Sequence, residues 1–150
     1  MKWSKDNSIL LSKICVWVFA AGALLCAAML PSALDGIVMR RGMEVRTGST
    51  LAMASFYSLM VPTAVALWSL YRLLRNISRE QVFVEANVRC LRVLSWACYL
   101  AASICLLSAA YYIPFLFVAL MAGFMGLILR VVKNVFAEAV ALKQENDYTI

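Results

Sequence analysis

Apolar residues along this chain fall into four long, nearly unbroken runs, separated by short polar clusters. The runs cover about residues 9–30, 50–74, 93–112 and 115–132. Each is close to the ~20 residues that a helix needs to cross ~30 Å of hydrocarbon. Lipid offers the backbone no hydrogen-bonding partner, so a helix, which satisfies its own amides, is the economical way across. A transmembrane β-barrel would show ~10-residue segments of alternating polarity, and none are visible. The pattern predicts an all-α integral membrane protein, a four-helix transmembrane bundle forming a single transmembrane domain over residues 1–150.

The polar stretches between the runs predict the rest of the architecture. Residues 31–49 read as an outer loop, with Asp35, Arg40, Arg41, Glu44 and Arg46 as charges and Gly36, Gly42 and Gly48 as turn residues. It is either a ligand-facing cap or a solvated connector. Tyr111-Tyr112-Ile113-Pro114 is so short that the third and fourth helices should form an antiparallel hairpin. Ser78-Arg79-Glu80-Gln81 matches a capping box. It predicts a short amphipathic helix over 78–92 that presents Val82, Phe83, Ala86 and Cys90 on one face and runs into the third span. No Pro or Gly interrupts 127–144, so the fourth helix should continue past the membrane and end in a polar tail within 133–150. A weak internal echo pairs Val82-Phe83-Val84-Glu85-Ala86 with Val135-Phe136-Ala137-Glu138-Ala139, through either duplication or chance.

Charge orients the helices. Eleven of the fourteen Lys and Arg fall at one side: Lys2, Lys5 and Lys13, then Arg72, Arg75, Arg79, Arg89 and Arg92, then Arg130, Lys133 and Lys143. By the positive-inside rule both termini are cytoplasmic, with cytoplasmic helical extensions. The net charge of +6 is mostly this asymmetry, so it gives no reason to expect direct nucleic-acid binding. Lys13 lies about a turn inside the first span, where it either snorkels to the headgroups or marks a functional position. Lys2, Lys5 and Leu30-Pro31-Ser32-Ala33 imitate a signal peptide, but the apolar run exceeds the ~7–15 residues of a signal h-region. It reads as a retained first helix.

Composition agrees with a membrane protein and narrows the chemistry. Hydrophobic residues make up 64% and charged residues 15%, and mean hydropathy is +0.83. There is no histidine, which removes the commonest general base and a common metal ligand. None of the eight acidic residues lies inside a predicted span, and no phosphate loop, HExxH or GxSxG pattern occurs. No catalytic residue, metal site or cofactor is expected, and the chain is not read as an enzyme. Cys15, Cys26, Cys98 and Cys105 fit small apolar packing positions. Cys90, at the membrane edge, stays open to lipidation or thiol chemistry. Ala119, Ala122, Gly123 and Gly126 form small-xxx-small patterns that permit close helix packing, within the chain or in a homo-oligomer. Pro62 interrupts the second run near its centre, and Tyr57, Ser58, Pro62 and Thr63 form a candidate intramembrane ligand niche.

Two segments carry a family resemblance. Phe83-Val84-Glu85-Ala86-Asn87-Val88-Arg89-Cys90-Leu91-Arg92 with Trp96, and more specifically Leu129-Arg130-Val131-Val132-Lys133-Asn134-Val135-Phe136-Ala137-Glu138-Ala139-Val140 with Lys143 to Ile150, resemble the domain of unknown function 2975 family. The likeness covers about the carboxy-terminal two-thirds of the chain. Family members often have Gly before the Val-Phe pair, where this chain has Gln81. The resemblance implies a small four-span protein of the bacterial cytoplasmic membrane without an assigned biochemical activity. Members are often encoded beside a very small helix-turn-helix regulator, which implies a cytoplasmic partner of that kind. Candidate contacts for such a partner are Phe83, Asn87, Arg92, Lys133, Asn134, Phe136, Asn146 and Asp147; the alternative is that these segments brace each other. The resulting expectation is a non-enzymatic sensor or regulatory protein. Competing expectations are an oligomeric exporter component for a small hydrophobic molecule and an immunity-type protein against a membrane-active peptide.

Overall fold

The computed structural model describes the backbone of residues 2–41 and 44–148 and the side chains of residues 7–32, 48, 50–146 and 148. The regular structure of the described chain is α-helix alone: α1 (Lys2–Arg41), α2 (Glu44–Ser78), α3 (Glu85–Ser108) and α4 (Pro114–Tyr148). Each contains a segment long and apolar enough to cross a membrane: Asn7–Ser32, Thr50–Ser78, Glu85–Ser108 and Pro114–Asn146. Large apolar side chains face outward along them, with Phe19 at 72% and Phe117 at 66% exposure. Water solvates such a surface poorly, whereas hydrocarbon does so readily.

The four helices of the expected bundle are arranged as an open row. Among the described residues α1 packs only on α2, and α4 only on α3, so α2 and α3 are the central pair. Short connections make consecutive helices neighbours. In lipid, an apolar helix face gains little hydrophobic free energy by exchanging hydrocarbon for another helix, so burial alone does not close the row. Cross-helix contacts fix the antiparallel register. Lys13 Nζ donates to Ser78 Oγ at 3.0 Å, the Trp17 and Tyr71 rings lie 6.2 Å apart, and Tyr57 reaches Ala27. Lys13 therefore extends to the end of the row that carries the α2–α3 connection.

The described residues of 31–49 are helical, not a loop. α1 runs through Pro31 to Arg41 and α2 begins at Glu44; the side chains of Asp35, Arg40, Arg41, Glu44 and Arg46 lie outside the described residues. Proline has no amide hydrogen, so Pro31 leaves the Ala27 carbonyl without its helical donor. The Tyr57 hydroxyl donates to that oxygen at 3.2 Å, which mends the defect from the neighbouring helix.

The expected capping box is also absent. Ser78 ends α2 instead of starting a helix, and α3 begins only at Glu85. Gln81 N–H donates to Asn76 O at 3.1 Å and Glu80 N–H to Ile77 O at 3.0 Å. With Glu80 at φ 61°, these bonds form a Schellman termination with a left-handed residue after the cap. Residues 81–84 are irregular while 134–139 are helical, so the sequence echo joins two different local structures. The fourth helix does extend to Tyr148.

The most intimate packing joins α3 to α4. Leu91, Leu94, Ala97 and Cys105 of α3 are buried, as are Ala119 and Val140 of α4. A Cβ at Gly126 would lie 3.3 Å from the Ser95 carbonyl oxygen and 3.2 Å from Tyr99 Cε1, whereas at Gly123 it would meet only Ala102 Cβ at 3.9 Å. The small residues of α4 thus serve packing within the chain. Arg130 lies over the Trp96 and Tyr99 rings, 5.3 and 5.8 Å from their centroids, a cation–π arrangement that ties its charge to α3.

Candidate functional site

The end of the row that gathers most of the basic residues is organised by one buried amide. Asn87, in the first turn of α3, is 0% exposed. Its Oδ1 accepts from Asn76 Nδ2 at 2.8 Å, and its Nδ2 donates to Gln81 O at 2.8 Å and Val82 O at 2.7 Å. Both amide hydrogens and the carbonyl are used, so the side chain pins the 79–84 connection to both helices. Asn87 is therefore withdrawn from the docking surface on which the sequence placed it. The Gln81 N–H that a capping box would offer to the Ser78 side chain donates to the Asn76 carbonyl instead, while Asn87 takes the carbonyls of the same connection.

The remaining docking candidates divide. The Phe83 and Phe136 rings pack 5.9 Å apart, joining the segment before α3 to the distal part of α4. Arg92 is exposed and shares a groove with Glu85, Arg89, Val140, Ala141 and Gln144, of about 510 Å³. Lys133 is half-buried, Asn134 and Asn146 are exposed, and the side chain of Asp147 lies outside the described residues. The structure therefore brings Phe83, Arg92 and Phe136 to the same α3–α4 junction, and Phe83 and Phe136 brace it.

The intramembrane niche does not assemble as one site. Ser58 Oγ donates to Ala54 O at 2.7 Å and Thr63 Oγ1 to Leu59 O at 2.7 Å, each on its own helix. Tyr57 is occupied by Ala27, and Pro62 is buried inside an unbroken α2. Only Thr63 lines the groove between α1 and α2, an apolar space of about 510 Å³ walled by Trp17, Met60, Leu67, Trp68 and Tyr71. Cys90 is 7% exposed, which shelters it from the lipidation or thiol chemistry left open above. Among the described residues, no three His, Cys, Asp or Glu side chains gather in a way that could hold a metal ion.

Sequence reasoning missed a polar chain at the opposite end. Tyr111 Oη donates to Ser55 Oγ at 2.8 Å, Ser55 Oγ lies 2.6 Å from Ser108 Oγ, and Ser108 Oγ donates to Ile104 O at 2.9 Å. With one hydrogen per hydroxyl, Ser55 is the donor to Ser108. The chain locks α2 to α3 there, and isolated serines in apolar runs gave no hint of it.

A family model described as a protein of unknown function (DUF2975) matches residues 40–150. The chain belongs to this family. The DUF2975 match takes in α2, α3 and α4, with the Asn87 junction and the Gly126 contact, but almost none of α1. The portion shared with the DUF2975 family is thus the three-helix part of the row, and α1 is the flanking element. No curated protein and no solved structure matches the chain.

Proposed function

We propose that this DUF2975 protein is a non-enzymatic, multi-pass protein of the bacterial cytoplasmic membrane, with both termini inside, that docks a cytoplasmic protein such as a small helix-turn-helix regulator. The observation that carries the reading is the junction of α3 and α4. α4 has 35 residues, roughly 52 Å at 1.5 Å per residue, which exceeds ~30 Å of hydrocarbon by several turns. Its distal part, braced through Phe136 against Phe83, offers a helical platform beyond the lipid. Arg92 and Gln144 line the groove on that platform, and Val135 and Leu142 on the same stretch of helix are more than half exposed. Charged rims beside apolar contacts are the usual make-up of a protein-binding surface. The basic residues at that end favour the cytoplasmic side.

The test is recovery of partners from native membranes after mild cross-linking, with identification by mass spectrometry. Wild-type protein is expected to bring down one small DNA-binding protein in near-stoichiometric yield. Arg92→Glu is expected to lose that partner while folding normally. Phe136→Ala should lose it too, although it also removes the brace to Phe83. Unchanged recovery with Arg92→Glu would remove the α3–α4 groove from the account. One observation favours a second reading: among the described residues α1 and α4 each have a single helical neighbour, which leaves edges for self-association and an oligomeric exporter component. Recovery of the protein alone would favour that reading.

A further inference from the structure

A second groove at the same end of the row lies between α2 and α3. Its lining includes Arg72 near the end of α2 and Arg89 in the second turn of α3, with Ser69, Trp68, Val65 and Val93 deeper in, and its volume is about 690 Å³. No Asp or Glu lines it. Among the described residues neither arginine has a hydrogen-bond or ion-pair partner, and neither does Ser69, which is only 6% exposed. Two positive charges and the hydroxyl of a largely buried serine thus face one space without an acceptor or anion.

The groove has a direction. Arg72 and Arg89 lie at the α2–α3 connection, where the helices leave the apolar zone. Val65 lies two turns further in along α2, about 10 Å at 1.5 Å per residue, and Val93 lies one turn in from Arg89. Polarity therefore runs from cationic at the mouth to apolar in depth, parallel to the helices. A soluble anion would match only the mouth, and a neutral apolar molecule only the depth.

We propose that this groove is a binding site for an anionic phospholipid. The phosphate sits on Arg72 and Arg89 with Ser69 as a further donor, and the first part of an acyl chain lies along Val65, Trp68 and Val93. Guanidinium groups suit phosphate oxygens because their planar donors can bond in pairs. The site is separate from the proposed protein-docking groove except for Arg89, which lines both. Arg72 belongs to the lipid groove alone, so substitutions there distinguish the two.

The test uses the full chain in nanodiscs of phosphatidylcholine doped with phosphatidylglycerol, with bound lipid counted by mass spectrometry of the intact complexes. Wild-type protein is expected to retain phosphatidylglycerol in preference to phosphatidylcholine. Arg72→Gln and Arg89→Gln should each weaken that retention about tenfold, the equivalent of roughly 1.4 kcal/mol for one charged contact. Arg75→Gln and Arg79→Gln remove the same charge from the same end but do not line the groove, and they should leave retention unchanged. Arg72→Gln should also leave partner recovery from membranes unchanged. Equal losses in all four variants would reduce the effect to general surface attraction and overturn the site. Equal retention of the two lipids by the wild type would overturn it as well. Displacement of phosphatidylglycerol by inorganic phosphate would show a headgroup-only anion site and overturn the lipid assignment.

Discussion

Replacing Asn87 with alanine tests whether one amide holds the α2–α3 junction together. The substitution removes the acceptor of Asn76 Nδ2 and the donors to the Gln81 and Val82 carbonyls, three bonds of 2.7–2.8 Å. At about 1 kcal/mol net for each hydrogen bond, the loss is about 3 kcal/mol. Gln81 and Asn76 are not fully buried, so water can replace part of what is lost and no large extra desolvation term is expected. Asn76→Ala removes one of the three bonds and leaves the buried Asn87 Oδ1 without that donor, so it should cost about 1–2 kcal/mol, less than Asn87→Ala. Asn87→Asp keeps the shape but sets carboxylate oxygens against two carbonyl oxygens, so it should be worse than alanine. Denaturation in mild detergent gives the stabilities, and trypsin cleavage after Arg79 reports opening of the turn. The reasoning fails if Asn87→Ala lies within about 0.5 kcal/mol of wild type, the range of an ordinary surface change. It fails equally if Asn76→Ala costs as much as Asn87→Ala.

Other positions give independent checks. Glu80 holds a left-handed conformation at φ 61° that costs a non-glycine residue roughly 1 kcal/mol, so Glu80→Gly should raise the denaturation midpoint. Gly126→Val places branched carbons against the Ser95 carbonyl and Tyr99 and should destabilise the α3–α4 pair by about 1–3 kcal/mol. Gly123→Ala, which meets only Ala102 at ordinary contact distance, should be neutral or slightly stabilising by the same denaturation assay. Tyr57→Phe removes the donor that serves the carbonyl orphaned by Pro31 and should cost about 0.6–1.5 kcal/mol. In a Pro31→Ala background the helix supplies its own donor, so the same change should cost less, and a double-mutant cycle reads the difference.

Hydropathy was enough to locate four helices because the cost of an unsatisfied backbone in lipid leaves few alternatives. It was a poor guide to where they end. The third run was expected to reach Tyr112, yet α3 stops at Ser108, where the hydroxyl meets Ser55, which in turn accepts from Tyr111. Hydropathy counts the apolar residues that follow as continuous with the run. Pro31 and the charges after it suggested a loop, because the repair by Tyr57 comes from another helix, thirty positions away. The capping box failed because α2 runs on to Ser78 and its Asn76 carbonyl takes the Gln81 N–H, while Asn87 holds the carbonyls of the connection from the next helix. Which helices touch was not legible either. An apolar stripe that faces lipid and one that faces a neighbouring helix look alike in sequence, so a closed bundle and an open row have the same signature. The α3–α4 junction was partly legible. Phe83, Arg92 and Phe136 do converge, but the burial of Asn87 and the arginine-lined groove between α2 and α3 depend on register, which composition does not carry.

The most direct test of the docking account is a photo-crosslinking amino acid placed at Gln144, on the rim of the α3–α4 groove, in protein expressed in its native membrane. The account predicts a single major adduct with a small cytoplasmic protein, lost on Arg92→Glu and absent when the crosslinker is moved to Phe117 on the apolar part of α4. Adducts only with lipid or with a second copy of the chain from Gln144 would contradict it.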